Sequence, residues 1–379
     1  MKAQPNLPLP ADLLEKMAAT EQNPRYHREG NVLEHTAYVL RQFEALKDRF
    51  RLTEDEKTVL YWAAILHDIG KTVTTIFQDG RWRSPGHERA GIPFAQDLLI
   101  QNPDISVSVR HKILDLVRWH GIPLRMSLGQ YNLDDIKLLG TRTDLKLLSI
   151  FSIFDFEGRD CDDKPETLEK IYKFNEILVP KVEFETGKFS ELSEVHSNWN
   201  LRHKNAAWKA LKMKNVSFLE KLREANPVQV APTYGKKVTI VMGEALSGKS
   251  TWLQENRPDA FVVNMADHGF LEQYITTDYL LGRKMVEFKH HLTLYLNRNR
   301  QVYLETRNLP ENWRHQIADM VKEMNIDLEY VVIETSLKTL KERRDQQAEP
   351  REALDLKARY HALDLIHPWE AHETTYVEG

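Results

Sequence analysis

The run Gly243-Glu-Ala-Leu-Ser-Gly-Lys-Ser-Thr251 fits G-x-x-x-x-G-K-[ST] and follows the apolar run Val238 to Met242. That placement reads as strand, phosphate-binding loop and helix. Its glycines let backbone N–H groups face phosphate oxygens, the Lys249 ammonium reaches the β/γ-phosphates, and the Ser250 hydroxyl can ligate Mg²⁺. Gly243, Ser247, Gly248, Lys249, Ser250 and Thr251 are therefore candidate contacts for ATP or another NTP. A second set is scattered through the first 155 residues: His35, the doublet His67-Asp68, His87, His120 and Asp155. Imidazoles and carboxylates spread over several helices can converge inside a bundle and suit one or two divalent metals. One polypeptide thus reads as carrying two phosphate chemistries.

These groups need two kinds of scaffold. From about Asn31 to Leu178, apolar positions such as Val32, Leu33, Val39, Leu40 and Phe43 recur at helical spacing, which predicts an all-α domain. Thr53-Glu-Asp-Glu56 matches a capping box that starts a long apolar helix running to His67-Asp68, with Gly70 as its stop. Beyond Lys237, four strand-like runs (Val238–Met242, Phe261–Asn264, Val302–Thr306, Tyr330–Glu334) alternate with segments of helical length, which predicts a parallel sheet covered by helices. The expectation is multidomain: an all-α domain over 1–180, a mostly helical polar connector over 181–235, and an α/β domain over 236–379.

At 379 residues the chain suits two cores better than one. Its 52 basic and 56 acidic residues, net charge −4, exclude a generally basic nucleic-acid binder but not a local basic groove. The single cysteine, Cys161, cannot form an intramolecular disulfide, and nothing beside it would activate a thiolate. The N-terminal residues lack the apolar core of a signal peptide, and no apolar stretch nears the ~20 residues that span a bilayer. A cytoplasmic protein with no membrane contact is expected. The connector holds Trp199, Trp208 and the basic run Arg202, His203, Lys204, Lys209, Lys212 and Lys214. It is either a solvated helix face or a path for a nucleic-acid strand with stacking tryptophans.

The first set of residues resembles the HD phosphohydrolase superfamily. His27-Arg-Glu-Gly-Asn-Val-Leu-Glu-His35-Thr36 is similar to its opening motif and His67-Asp68-Ile-Gly-Lys71 to its defining doublet. Gly86-His87-Glu88, Arg118-Trp-His120 and Asp155 complete the order. The resemblance implies that His35, His67, Asp68 and Asp155 hold one metal, while Asp68 bridges to a second held by His87 and His120, with Mn²⁺ or Co²⁺ as suitable ions. Two close metals clamp a phosphate and provide a nucleophilic water near neutral pH, which predicts phosphoester hydrolysis. Asp68 and Lys71 are the catalytic candidates, and Arg25 and His27 the phosphate-binding ones. His111 lies outside the motifs and reads as structural.

In the α/β part, Asp267 follows the second strand and should emerge at the sheet's carboxyl edge, where it could act as base toward an acceptor hydroxyl or cap the next helix. Arg307 follows the third strand near the same edge, where it could bind the acceptor's phosphate or polarise a donor oxygen. Arg343 and Arg344 lie on the helix after the fourth, and one of them is expected to stabilise charge on a transferring phosphoryl group. Residues 236–379 resemble the 5′-hydroxyl polynucleotide kinase branch of P-loop phosphotransferases. They depart from that pattern at Phe270, where an acceptor-binding arginine is usual.

An HD module joined to such a kinase resembles the HD-Pnk family. That resemblance implies end healing of RNA or DNA: removal of a 2′,3′-cyclic phosphate or 2′-phosphate by the HD domain, and transfer of the NTP γ-phosphate to a 5′-OH. No Lys-x-Asp-Gly nucleotidyl-acceptor motif is evident, so sealing would fall to a separate ligase. Two other readings stay open: a nucleotide or signalling-nucleotide phosphohydrolase joined to a small-molecule kinase, and a non-catalytic metal-stabilised nucleic-acid clamp beside a kinase.

Overall fold

The computed structural model describes residues 7–127, 129–130, 132–140, 142–179, 235–268, 278–324, 326–347, 365–366, 370–371 and 373–379. The chain divides into two compact units, Met1–Ser190 and Glu191–Gly379. The connector's tryptophans and basic run, Phe270 and the Asp267 side chain lie outside the described residues.

The first unit is helical: α1 (Ala11–Ala19), α2 (Val32–Leu46), α3 (Glu54–Leu66), α4 (Lys71–Thr74), α5 (His87–Ile100), α6 (Val107–Trp119), α7 (Ile122–Ser127), α8 (Leu133–Gly140), α9 (Leu145–Glu157) and α10 (Lys164–Lys173). Helix α9 is buried on all its faces from Leu147 to Phe156, as expected of a central helix with apolar residues all round. Helices α2 and α3 pack on it with amphipathic faces that include Val39, Phe43, Val59 and Leu60. The capping box at α3 is present: the Thr53 side chain accepts from Glu56 N, and the Glu56 carboxylate accepts from Thr53 N. That fixes where α3 starts, and so where it delivers His67.

One feature departs from helical periodicity. A two-stranded antiparallel hairpin, β1 (Ile76–Gln78) and β2 (Arg81–Arg83), interrupts the chain between α4 and α5. Its turn places Asp79 and Gly80 both at positive φ, 51° and 71°. Asp-Gly suits such a two-residue turn, but strands of three residues are too short to show alternation in a sequence.

The second unit contains a five-stranded parallel sheet in the order β4-β5-β3-β6-β7, formed by β3 (Lys237–Met242), β4 (Val262–Asn264), β5 (Gln301–Thr306), β6 (Asp327–Glu334) and β7 (Glu373–Glu378). Helices α11 (Lys249–Asn256), α12 (Asp278–Arg298), α13 (Glu311–Glu323) and α14 (Leu337–Asp345) lie between the strands in the chain. Central β3 is buried from Val238 to Met242, so its apolar run reads continuously instead of alternating. Edge strand β7, Glu-Thr-Thr-Tyr-Val-Glu, is half-exposed and too polar to be read as a strand from its sequence. Among the described residues, no helix is long and apolar enough to cross a membrane.

Candidate active sites

Five helix segments deliver six side chains to one point in the first unit. His35 lies inside α2, His67 caps the C-terminus of α3 with Asp68 next to it, His87 opens α5, His120 caps α6, and Asp155 lies near the end of α9. The turn after α3 can approach α5 only because residue 70 is glycine. A Cβ there would lie 2.0 Å from the His87 carbonyl oxygen and 2.6 Å from Gly91 N.

Among the described residues three groups of ligand atoms could hold a metal ion: His27/Glu29/His35 and, formed by these six side chains, the adjoining pair His35/His67/Asp155 and Asp68/His87/His120. Asp68 faces both. Its Oδ2 is 3.6 Å from His35 Nε2 and 3.2 Å from His67 Nε2, while its Oδ1 is 3.3 Å from His87 Nε2 and 3.6 Å from His120 Nε2. Asp155 Oδ1 lies 3.1 Å from His35 Nε2.

Contacts behind the imidazoles aim them. Nδ1 of His67, His87 and His120 donates to the carbonyls of Ala64, Ser84 and Val117 at 3.2, 2.9 and 2.9 Å. His35 Nδ1 lies 2.8 Å from Glu29 Oε1. An Nδ1 that donates to oxygen leaves the Nε2 lone pair directed inward, the arrangement that orients metal-binding histidines. Two buried polar atoms at the centre, His67 Nε2 and Asp68 Oδ1, make no geometrically sound hydrogen bond. Buried polar groups left in this way need an explanation, and a cation among these donors supplies one. The donor set of nitrogen and carboxylate oxygen fits a divalent transition metal.

The electrostatics of the two carboxylates agree with that role. Burial by itself would raise the Asp68 carboxyl, yet the Lys71 ammonium, 2.7 Å from Oδ2, and His67 hold it well below the usual carboxylate range. Asp155 is likewise held low against burial, chiefly by Arg159, whose Nη2 donates to Oδ2 at 2.6 Å. Burial, reinforced by Lys71, pushes His27 down to about 3, so this side chain is neutral. Both ligand carboxylates are thus anionic where a cation would sit.

Lys71 and His27 line a pocket that reaches His87, and Lys71 also donates to Gln22 Oε1 at 2.8 Å. Arg25 is not among that pocket's lining residues; its guanidinium lies 5.5 Å from the Tyr26 ring. His111 joins none of these ligand groups. Burial first, then Asp163, pushes the Cys161 thiol up to about 11, which leaves it unreactive.

Glu29 escapes sequence reasoning. Its Oε1 meets His27 Nδ1 at 2.7 Å and His35 Nδ1 at 2.8 Å, and its Oε2 accepts from Asp160 N at 2.9 Å. It lies within the motif that carries His27 and His35, but residues 27–30 precede α2 and form no regular element. No helical spacing therefore signals that one carboxylate faces both rings.

In the second unit the loop read above as phosphate-binding leaves the carboxyl end of β3 and enters α11, with Gly248 as the helix N-cap at φ 103°. Only a residue without Cβ takes that φ without strain. Lys249 is buried and folded over the loop, its Nζ donating to the Gly243 and Glu244 carbonyls at 3.1 and 2.7 Å. The Ser250 hydroxyl donates to Glu305 Oε1 at 2.7 Å. A carboxylate at a strand end beside this hydroxyl is the pairing that holds Mg²⁺ in P-loop enzymes, so Glu305 joins the candidates. Its sequence signal was the acid closing the apolar run Val302–Leu304.

A cleft of about 1370 Å³ opens over the loop, bordered by Asn264, Glu305, Arg307, Arg343 and Arg344. The two helix arginines differ. Arg343 Nη1 donates to the Leu246 carbonyl within the phosphate loop at 2.9 Å, whereas Arg344 pairs with neighbouring Asp345 at 2.8 Å. The backbone of Asp267 lies in the turn Met265–His268 after β4.

Comparison with known proteins gives one assignment. Among solved structures the chain resembles an unliganded sugar kinase from Janibacter sp. HTCC2649, at 13% identity and a TM-score of 0.31, over 38% of this chain and 85% of that one. A likeness of that size has no bearing on chemistry. A search of curated proteins returns no match. Residues 32–155 match the HD domain. The helical unit therefore carries an HD domain, which implies divalent-metal binding and phosphohydrolase chemistry.

Proposed function

We propose that this protein heals nucleic-acid ends. The HD domain, within residues 1–180, removes a 2′,3′-cyclic phosphate or 2′-phosphate, and residues 236–379 transfer the γ-phosphate of ATP or another NTP to a 5′-OH. A separate ligase then joins the ends. The observation that carries the first half is Asp68, whose two oxygens face two histidine groups at once. Divalent ions held by His35, His67, Asp68 and Asp155, and by Asp68, His87 and His120, would clamp the phosphate and activate water. Lys71, already on Asp68, is placed to hold a phosphate oxygen at the mouth of the same cluster.

The second half rests on the loop that joins β3 to α11 and on the cleft above it. Loop N–H groups and the N-terminus of α11 would cradle the β- and γ-phosphates. Ser250 and Glu305 would hold Mg²⁺, and Arg343, already bonded to the loop, is the arginine best placed to meet charge on the transferring group. Asp267 would take the acceptor's proton, and Arg307 would bind the acceptor phosphate.

An RNA bearing a 5′-OH and a 2′,3′-cyclic phosphate, incubated with γ-labelled ATP, Mg²⁺ and Mn²⁺, tests both halves. Wild type should label the 5′ end and open and remove the 3′-terminal phosphate. Asp68→Ala should abolish the phosphatase and spare labelling. Lys249→Ala should lower labelling by about 10²–10³-fold, the usual effect of removing a group that meets transition-state charge, and spare the phosphatase. Loss of both activities from either folded variant would overturn independent sites. Hydrolysis of free nucleotides in preference to strand ends would point to a nucleotide phosphohydrolase.

A further inference from the structure

The hairpin β1–β2 contributes little to the core of the first unit. Its strands are three residues long, and Ile76 and Phe77 are 46% and 61% exposed. Exposed apolar groups on so short an element call for a use. The hairpin's position suggests one. It leaves the chain just after the segment carrying His67 and Asp68 and rejoins it just before His87, so it stands beside the metal cluster. Thr75 Oγ1 and Ser84 Oγ, 2.8 Å apart, close its base.

Between the hairpin and the segment before α2 lies a pocket of about 300 Å³ that reaches His87. This is near the small end of the roughly 300–1000 Å³ of ligand pockets, a size that suits one nucleotide unit. Its lining carries Lys71, Arg81 and Arg83 but no carboxylate, on a chain in which acids outnumber bases 56 to 52. Arg83 is braced by Asp79 at 3.0 Å, while exposed Arg81 makes no ion pair among the described residues. The indole of Trp82 is held edge-on to Phe77, ring centroids 5.0 Å apart, and lines the same pocket with Tyr26. A braced indole beside Arg81, whose guanidinium makes no ion pair among the described residues, forms a surface for a base and its phosphate.

We propose that this hairpin is the strand-binding element of the HD site: Trp82 stacks on the base of the nucleoside that bears the terminal phosphate, and Arg81 contacts the phosphate on its 5′ side. The proposal rests on the end-healing reading and adds that the site recognises a strand end through its last base. Stacking of this kind corresponds to roughly 5- to 140-fold in affinity.

The test compares metal-loaded wild type, Trp82→Ala, Trp82→Phe and Arg81→Ala on three substrates: an oligonucleotide ending in a 2′,3′-cyclic phosphate, the same strand with an abasic terminal ribose, and a nucleoside 2′,3′-cyclic monophosphate. Trp82→Ala should raise KM for the base-bearing strand by roughly 5- to 140-fold, with kcat nearly unchanged and the abasic strand little affected. Trp82→Phe should restore most of the loss. Arg81→Ala should weaken the strand but not the mononucleotide, and should lower the salt dependence of strand binding by about one charge. Equal effects of Trp82→Ala on base-bearing and abasic strands, or none on either, would overturn the proposal. If wild type leaves strand ends untouched, the end-healing reading fails; fluorescence anisotropy of the two strands on wild type and Trp82→Ala then decides the stacking claim without turnover.

Discussion

Each unit buries a cluster of charges, and the two clusters are finished differently. In the second unit Arg314 is fully engaged: Nε and Nη2 donate to the Glu370 carboxylate at 2.6 and 3.0 Å, and Nη1 and Nη2 donate to the carbonyls of Leu309 and Leu365 at 2.8 and 2.7 Å. In the first unit, His67 Nε2 and Asp68 Oδ1 are buried among ligand atoms without a sound hydrogen bond, while every Nδ1 behind them is occupied. A cluster closed on itself joins parts of the chain, here α13 to the segment before β7. A cluster that is braced from behind and unsatisfied in front is prepared for a ligand. The loop before α11 adds a third pattern, since Lys249 is satisfied by its own loop carbonyls and, on the function proposed above, would exchange those bonds for a phosphate.

Breaking the closed cluster should have the largest effect on stability. Glu370→Ala leaves the Arg314 guanidinium buried and uncompensated, and should destabilise the second unit by about 3–5 kcal/mol in denaturant unfolding. HD phosphatase activity should survive at temperatures where the chain remains folded. A loss below 1 kcal/mol would mean that the cluster is not closed.

The open cluster should instead respond to its ligand. Mn²⁺ at 100 times its Kd should stabilise the first unit by about 2.7 kcal/mol, and chelation should reverse this, both read by calorimetry. The second unit's transition should not follow the Mn²⁺ concentration. Equal shifts in both transitions would remove the contrast.

The bracing can be tested by itself. Glu29→Ala frees the Nδ1 atoms of His27 and His35, and should weaken metal binding about 10- to 100-fold by titration calorimetry. The fold should remain, because Glu29 lies before α2 and outside the apolar core.

A smaller effect concerns Lys322, which donates to the Glu370 carbonyl at 2.8 Å beside the closed cluster. Burial, partly offset by Glu370, brings its pKa from 10.5 down to about 7. Between those values the folded chain holds fewer protons than the unfolded chain, so stability rises with pH across this window and falls as pH drops toward 7. The slope is at most about 1.4 kcal/mol per pH unit, and unfolding followed from pH 7 to 10 should lose that slope in Lys322→Met.

Much of this organisation was legible in the residues. The strand–loop–helix unit around Gly248 and Lys249 declares itself because its parts are contiguous in the chain, and β3, β5 and β6 declare themselves because buried parallel strands are largely apolar. The capping box marked the start of α3 for the same reason: its partners are three residues apart. Features built from distant or irregular partners were hidden. Strand β7 is polar and finds its place only by pairing with β6. The hairpin is too short for its period to register. The choice between Arg343 and Arg344 depends on which one meets the Leu246 carbonyl, 97 positions away along the chain.

The sequence by itself determined which groups are available: the order of histidines and aspartates in the first 155 residues, the phosphate loop, and the helical and α/β halves that carry them. These follow from local chemistry and periodicity. Tertiary structure alone decided that Asp68 turns one oxygen to each histidine group, that Glu29 braces two rings from a non-helical segment, and that a short hairpin adds Trp82 and Arg81 beside the cluster. Direction in space comes from how the helices pack around α9, and no spacing along the chain encodes it.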